Sequence, residues 1–169
     1  LAELLSRDGL VDEAIKTFQE CADFLYEESR FDEYVRVSER LLYHDAERPA
    51  EIRRLAHAYL GTKQPRKALL KLNLLLQSHN DDPEGLELLA ETMFAMGKVE
   101  KACSVIAELA RKLSSSSGSA DDVETAMRVL DRGLQWSPGD SDLSAAKRRI
   151  SAIHGVAGAS KTKSESGME

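Results

Sequence analysis

The stretch LAELLSRDGLVDEA, residues 1–14, returns at residues 89–102 as LAETMFAMGKVEKA. Leu1 and Leu89, Ala2 and Ala90, Glu3 and Glu91, Gly9 and Gly97, Val11 and Val99, and Ala14 and Ala102 are identical pairs, each 88 residues apart. A second self-match runs at a shift of 34. It lays Pro49 on Pro83, Leu55 on Leu89, Ala56 on Ala90, Tyr59 on Met93, Ala68 on Ala102 and Leu75 on Leu109. The same shift carries Cys21-Ala22 onto Leu55-Ala56 and Leu41-Leu42 onto Leu75-Leu76. A chain that repeats its small and large apolar positions at fixed spacing builds stacked units, each burying its apolar face on the next.

The spacing of apolar residues says what each unit is made of. Ala14, Phe18, Cys21, Ala22 and Leu25 recur at three- and four-residue steps, as do Tyr34, Ser38, Leu41 and Leu42, then Ile52, Leu55, Ala56 and Tyr59. Such steps put side chains on one face of an α-helix. Pro49, Pro65 and Pro83 open apolar runs, where a first-turn proline gives up no hydrogen bond, and Pro138 follows the end of one. Nine helices are predicted, near 1–8, 12–28, 31–45, 49–62, 65–79, 84–96, 99–114, 121–136 and 141–154. No segment alternates as a strand would. Short connections such as Asp8-Gly9-Leu10, Gly61 to Gln64 and Met96-Gly97-Lys98 make neighbouring helices antiparallel. The Ser-rich 114–120 reads as a mobile surface loop, with Ser119 and Asp122 forming a shortened capping box that restarts the helix. Residues 155–169 lack an apolar stripe and read as a disordered tail.

Composition excludes several functions. The 169 residues are 31% charged, 42% hydrophobic and 5% aromatic, a profile of helical proteins. A net charge of −6 argues against a nucleic-acid binder. No apolar run reaches the ~20 residues that span a bilayer, so no membrane role is expected. The absence of an initiating Met suggests a fragment of a longer protein, and two cysteines without CxxC spacing suit a reducing, cytoplasmic setting.

The period of 34 and its paired helices resemble the tetratricopeptide repeat family, from Leu1 to about His154. The resemblance implies an all-α fold, a right-handed superhelical α-solenoid of antiparallel helix pairs. Its units would fall near 15–48, 49–82 and 83–116, with an irregular unit after the Ser-rich loop. Ala56, Ala68, Ala90 and Ala102 would sit where paired helices cross closely. Gly9 and Gly97 would serve tight turns where φ is positive. Departures exist: the usual early Trp is Ile52 or Leu86. Helices 12–28 and 99–114 each read as either member of a pair, so the 88-residue echo would be a non-standard join made twice.

Nothing in the chain points to catalysis, a metal or a cofactor. His44, His57, His79 and His154 form no HExxH, and His44 and His79 suit contacts with the last carbonyls of helices. Cys21 and Cys103 read as small core residues, and Trp136 as packing under the final helix. Asp81-Asp82 and Asp121-Asp122 precede helices, where negative charge suits the dipole, and DDPEG lacks the DDxxD spacing of a magnesium site.

In arrays of this family the first helices of the units line a concave face. The resemblance places Lys16, Gln19, Asp23 and Tyr26 there from helix 12–28. Helix 49–62 would add Arg53, His57 and Leu60, and helix 84–96 would add Glu84, Glu87, Glu91 and Phe94. The groove would be basic in its middle and acidic beside it, with Tyr26, Leu60 and Phe94 as apolar anchors. Asp23, His57 or Glu91 stands where chaperone-binding members carry the Asn of their carboxylate clamp, which disfavours a chaperone-tail receptor. Each single charge reads plainly as a solvated helix face, so the functional reading belongs to the surface as a whole. The implied function is a scaffold or adaptor module that holds a protein or peptide partner. The alternative is a structural spacer, or a homo-oligomer joined through apolar ends at Leu4 and Leu5 or Ile150 and Ile153. A nucleic-acid role would need a basic stripe, for which the nearest candidate is the short Lys147-Arg148-Arg149.

Overall fold

The computed structural model of the chain describes the backbone of residues 1–7, 9–116 and 119–161, and their side chains except at 116 and 154–161. Every regular element among them is helical. The order is α1 (Ala2–Arg7), α2 (Val11–Glu27), α3 (Phe31–His44), α4 (Pro49–Gly61), α5 (Pro65–Ser78), α6 (Pro83–Ala95), α7 (Val99–Ser116), α8 (Ala120–Trp136) and α9 (Ser141–Lys161). They form two compact units, Leu1–Met96 with α1 to α6 and Gly97–Glu169 with α7 to α9. The boundary falls inside the expected 83–116 repeat.

The helix starts follow their sequence signals. Pro49, Pro65 and Pro83 open α4, α5 and α6, and Asp82 caps α6 by accepting the Gly85 N–H at 2.9 Å. Ser119 caps α8, accepting the Asp122 N–H at 3.1 Å and donating its hydroxyl to the Asp122 carboxylate at 2.8 Å. Asp121 and Asp122 therefore lie inside the first turn of α8.

The turns carry a repeat that residue identity hid. Ser29, Lys63 and Gly97 stand 34 residues apart and all adopt the left-handed conformation, with φ of 56°, 58° and 74°. Arg30 N–H then reaches the Leu25 carbonyl at 2.9 Å, and Gln64 N–H reaches that of Tyr59 at 2.7 Å. These bonds close α2 and α4 in the same way. Gly9, at φ 80°, ends α1 as expected.

In the first unit consecutive helices pack in order from α1 to α6, and α4 also packs on α6. Ala22, Ala56 and Ala68 are fully buried where helices cross, among Leu55, Tyr59, Leu72 and Leu75. Tyr34 occupies the repeat position of Ala68 and Ala102, yet it too is fully buried. In the second unit α7 packs on both α8 and α9. Ile106, Leu109, Val129, Leu130 and Leu143 fill that core. Gly133 permits the closest approach, since a Cβ on it would lie 2.7 Å from Leu143 Cδ1 and 3.1 Å from Ile106 Cγ2.

Several expectations are corrected. Ser114, Ser115 and Ser116 extend α7 rather than forming a loop: the Ser114 and Ser115 hydroxyls bond back to the Arg111 and Lys112 carbonyls and satisfy the last turn. Residues 117–118 lie outside the described residues. Helix α9 runs to Lys161, past the expected end at 154. Residues 162–169 of the expected tail lie outside the described residues. Cys21 is exposed, because the six-residue α1 brings Ala2 and Leu5 onto Ala14 and Phe18 and leaves Cys21 out of that cluster. Cys103 is buried, as expected. Leu5 is half-buried and Ile150 buried, so of the expected apolar ends Leu4 and Ile153 stay exposed. His44 reaches Ser6 Oγ at 3.1 Å through Nε2 and stacks on Phe18, held by neighbouring elements instead of carbonyls.

Candidate functional site

The expected site residues all belong to the first unit, on α2, α4 and α6. These helices hold them in place through bridges that only partly involve the residues expected. Tyr26 Oη lies 3.1 Å from His57 Nδ1, which joins α2 to α4. Beside that pair Asp23 accepts from Arg54 at 2.5 Å and from Gln19 at 3.0 Å. Arg54 also lies over the Tyr26 ring, 4.6 Å from its centre, so one guanidinium serves both a carboxylate and an aromatic face. Gln19 receives a further bond from Arg48. On the other side of α4, Arg53 pairs with Glu84 at 2.7 Å and with the α6 cap Asp82.

Behind this surface lies Glu51, buried in the first turn of α4. Tyr34 Oη donates to it at 2.7 Å, and Arg54 stands 3.7 Å away. A buried carboxylate is costly unless bonded and paired, and the amino end of a helix adds favourable potential. Glu51 has all three supports. Burial, reinforced by the nearby carboxylate of Glu51, holds the Tyr34 phenol far above its ordinary value of 10.0. At Asp23 burial works to raise the pKa, but the bonds from Arg54 and Gln19 and the charges of Arg54 and Arg48 outweigh it, so the carboxyl sits below its ordinary 3.8.

The structure therefore brings Gln19, Asp23, Tyr26 and His57 together at the α2–α4 seam and Arg53 and Glu84 at the α4–α6 seam. Lys16 stays exposed away from these bridges, and Leu60 packs against the core. Phe94 is 40% exposed, and Glu87 and Glu91 are half-buried. The expected basic middle of the groove is neutralised, because Arg53 is shared between two carboxylates. Sequence reasoning missed Arg54, Glu51 and Tyr34. A Tyr at a repeat position that elsewhere holds Ala was the available signal, since its hydroxyl needs a buried acceptor. Among the described residues no cluster of three or more His, Cys, Asp or Glu could hold a metal ion, and no helix is long and apolar enough to cross a membrane.

No family model and no curated protein matches the sequence. Solved structures do match. The type III secretion translocator chaperone SycD of Yersinia enterocolitica aligns at a TM-score of 0.62 and 14% identity, over 74% of this chain and 84% of that one. The kinesin-light-chain TPR-like repeats of Podosopora anserina align at 0.61 and 17% identity, over 90% and 91%. YrrB, a TPR protein with an unusual peptide-binding site, aligns at 0.53 and 17% identity, over 87% and 88%.

Proposed function

We propose that this chain, which has the all-α tetratricopeptide-repeat fold, is a non-catalytic module that binds a protein or peptide partner across α2, α4 and α6. The observation that carries this reading is the bridging of the three helices by pairs each 31 residues apart: Tyr26 with His57, Asp23 with Arg54, and Arg53 with Glu84. Side chains cross-linked in this way lose little further freedom on binding, which lowers the cost of association. Phe94 supplies exposed aromatic area, Lys16 an exposed cation, and Glu84, Glu87 and Glu91 a row of carboxylates. YrrB, similar in fold, is described by its peptide-binding site, which supports the peptide reading.

Affinity capture from native lysate, read by quantitative mass spectrometry, tests it. The wild type is compared with Lys16→Glu/Glu87→Lys/Glu91→Lys and with a control altered at exposed Lys101 on α7. A partner lost by the first variant and kept by the control, with unchanged melting, is the expected result. Equal capture by all three proteins rules the face out. A second reading, self-association, rests on the exposure of Leu4 at 59% and Ile153 at 65%. Light scattering of Leu4→Ser/Ile153→Ser decides it, because only an end-to-end assembly would fall apart.

A further inference from the structure

In the first unit, α5 and the turn before it carry a basic surface. From Thr62 to Asn80 there are four basic residues, Lys63, Arg66, Lys67 and Lys71, and no acidic one, in a protein of net charge −6. Lys63, Arg66 and Lys67 are exposed, and none of the ion pairs among the described residues involves them. The neighbouring α3 adds exposed Arg36 and Arg40. The acid lining this side of the cleft, Glu39, is already occupied: Lys71 donates to it at 2.6 Å and the Tyr59 hydroxyl at 2.6 Å.

Between α3 and α5 runs a cleft of about 780 Å³, lined by Glu39, Tyr59, Lys67, Leu70, Lys71 and Leu74 among others. Leu70 is 64% exposed and Leu74 59%, one helical turn apart on α5. Tyr43, one turn beyond Glu39 on α3, is 79% exposed. The Lys67 ammonium sits over the Tyr59 ring at 5.5 Å, which steers that cation to the rim of the cleft. Large apolar side chains side by side on one helix, rimmed by unpaired cations, are a binding surface and not a solvated face.

We propose that the α3–α5 cleft is a second docking site, and that its occupant is an acidic amphipathic helix of a protein partner. The partner's apolar stripe covers Leu70, Leu74 and Tyr43. Its carboxylates meet Arg66 and Lys67 on α5. Charge selects the occupant: Arg66 and Lys67 are exposed and outside the ion pairs of the described residues, so the rim favours an acidic segment over a basic one. The site is independent of the α2–α4–α6 face.

The test uses the whole chain and two fluorescein-labelled helical peptides, with leucines at i, i+3, i+4 and i+7 and either glutamates or lysines at the flanking positions. Fluorescence anisotropy is expected to show the glutamate peptide binding, weakening as salt rises, and the lysine peptide not binding. Arg66→Glu/Lys67→Glu and Leu70→Ser/Leu74→Ser should each weaken it about tenfold or more. All four positions are exposed, so circular dichroism should show both variants folded. Lys16→Glu/Glu87→Lys/Glu91→Lys should leave binding unchanged. Equal binding of the two peptides, or binding that survives both cleft variants, overturns the proposal. So does a dimer of the chain that Leu70→Ser/Leu74→Ser dissociates, which would make a second copy the occupant. Tighter binding of a labelled single-stranded oligoribonucleotide, lost in Arg66→Glu/Lys67→Glu, also overturns it.

Discussion

The two compact units solve one packing problem differently. Among the described residues, the buried polar or charged side chains Ser38, Glu51 and Thr92 all lie in the first unit. The second unit buries Ala102, Ile106, Leu109, Leu130 and Leu143 and closes its helices over Gly133. One seam is set by hydrogen bonds, the other by the absence of a side chain. A polar seam specifies direction and register, because Tyr34, Glu51 and Arg54 have partners in one arrangement of α3 and α4. An apolar seam specifies distance. The same helix-pair repeat can therefore be tuned for a defined surface or for close packing.

Breaking the distance device should have the largest effect. Gly133→Val drives methyl groups into Leu143 and Ile106 and is expected to destabilise the second unit by about 3 kcal/mol. Residue-resolved hydrogen exchange should show faster exchange in α7, α8 and α9 and little change in α4 and α5. Breaking the polar seam comes next. Glu51→Ala leaves the Tyr34 hydroxyl buried without its acceptor and should cost the first unit about 2 kcal/mol in denaturant unfolding. The paired replacement Tyr34→Phe/Glu51→Leu turns this seam into one of the other kind and should be close to neutral. A double variant as damaging as the single one would show that the polar pair is not interchangeable with apolar packing.

Acid should separate the units more gently. Asp23 has a lowered pKa in the folded state, so its contribution is present in full above the ordinary 3.8 and is lost as pH falls through the folded value. Lowering pH from about 5 to about 3 should weaken the α2–α4 seam before the core of the second unit, and Asp23→Asn should remove part of that dependence. The smallest effect belongs to the turns. Ser29 and Lys63 hold a left-handed conformation that glycine adopts freely. Ser29→Gly and Lys63→Gly should each stabilise the first unit by about 0.5 kcal/mol, seen as a higher melting temperature.

Much of this was legible beforehand at particular residues. Pro49, Pro65 and Pro83 marked helix starts because a proline's missing N–H is harmless in one place along a helix. Ala56 and Ala68 marked close crossings because no other common side chain leaves the backbones so near. The position of Cys21 was misread, since periodicity reports which face a residue lies on but not whether a neighbour covers it. Arg53 was read as a groove cation when its charge is spent within the chain.

Sequence by itself determined the helices and their period, because backbone hydrogen bonding and apolar spacing act over a few residues. It did not determine which charges face a partner. Arg54 meets Asp23 across 31 positions and Arg53 meets Asp82 across 29, whereas Lys67 meets an aromatic ring and no acid. A charge is left for binding only when folding brings it no opposite charge. That is a property of distances between segments remote in the chain, so the tertiary structure alone decided it.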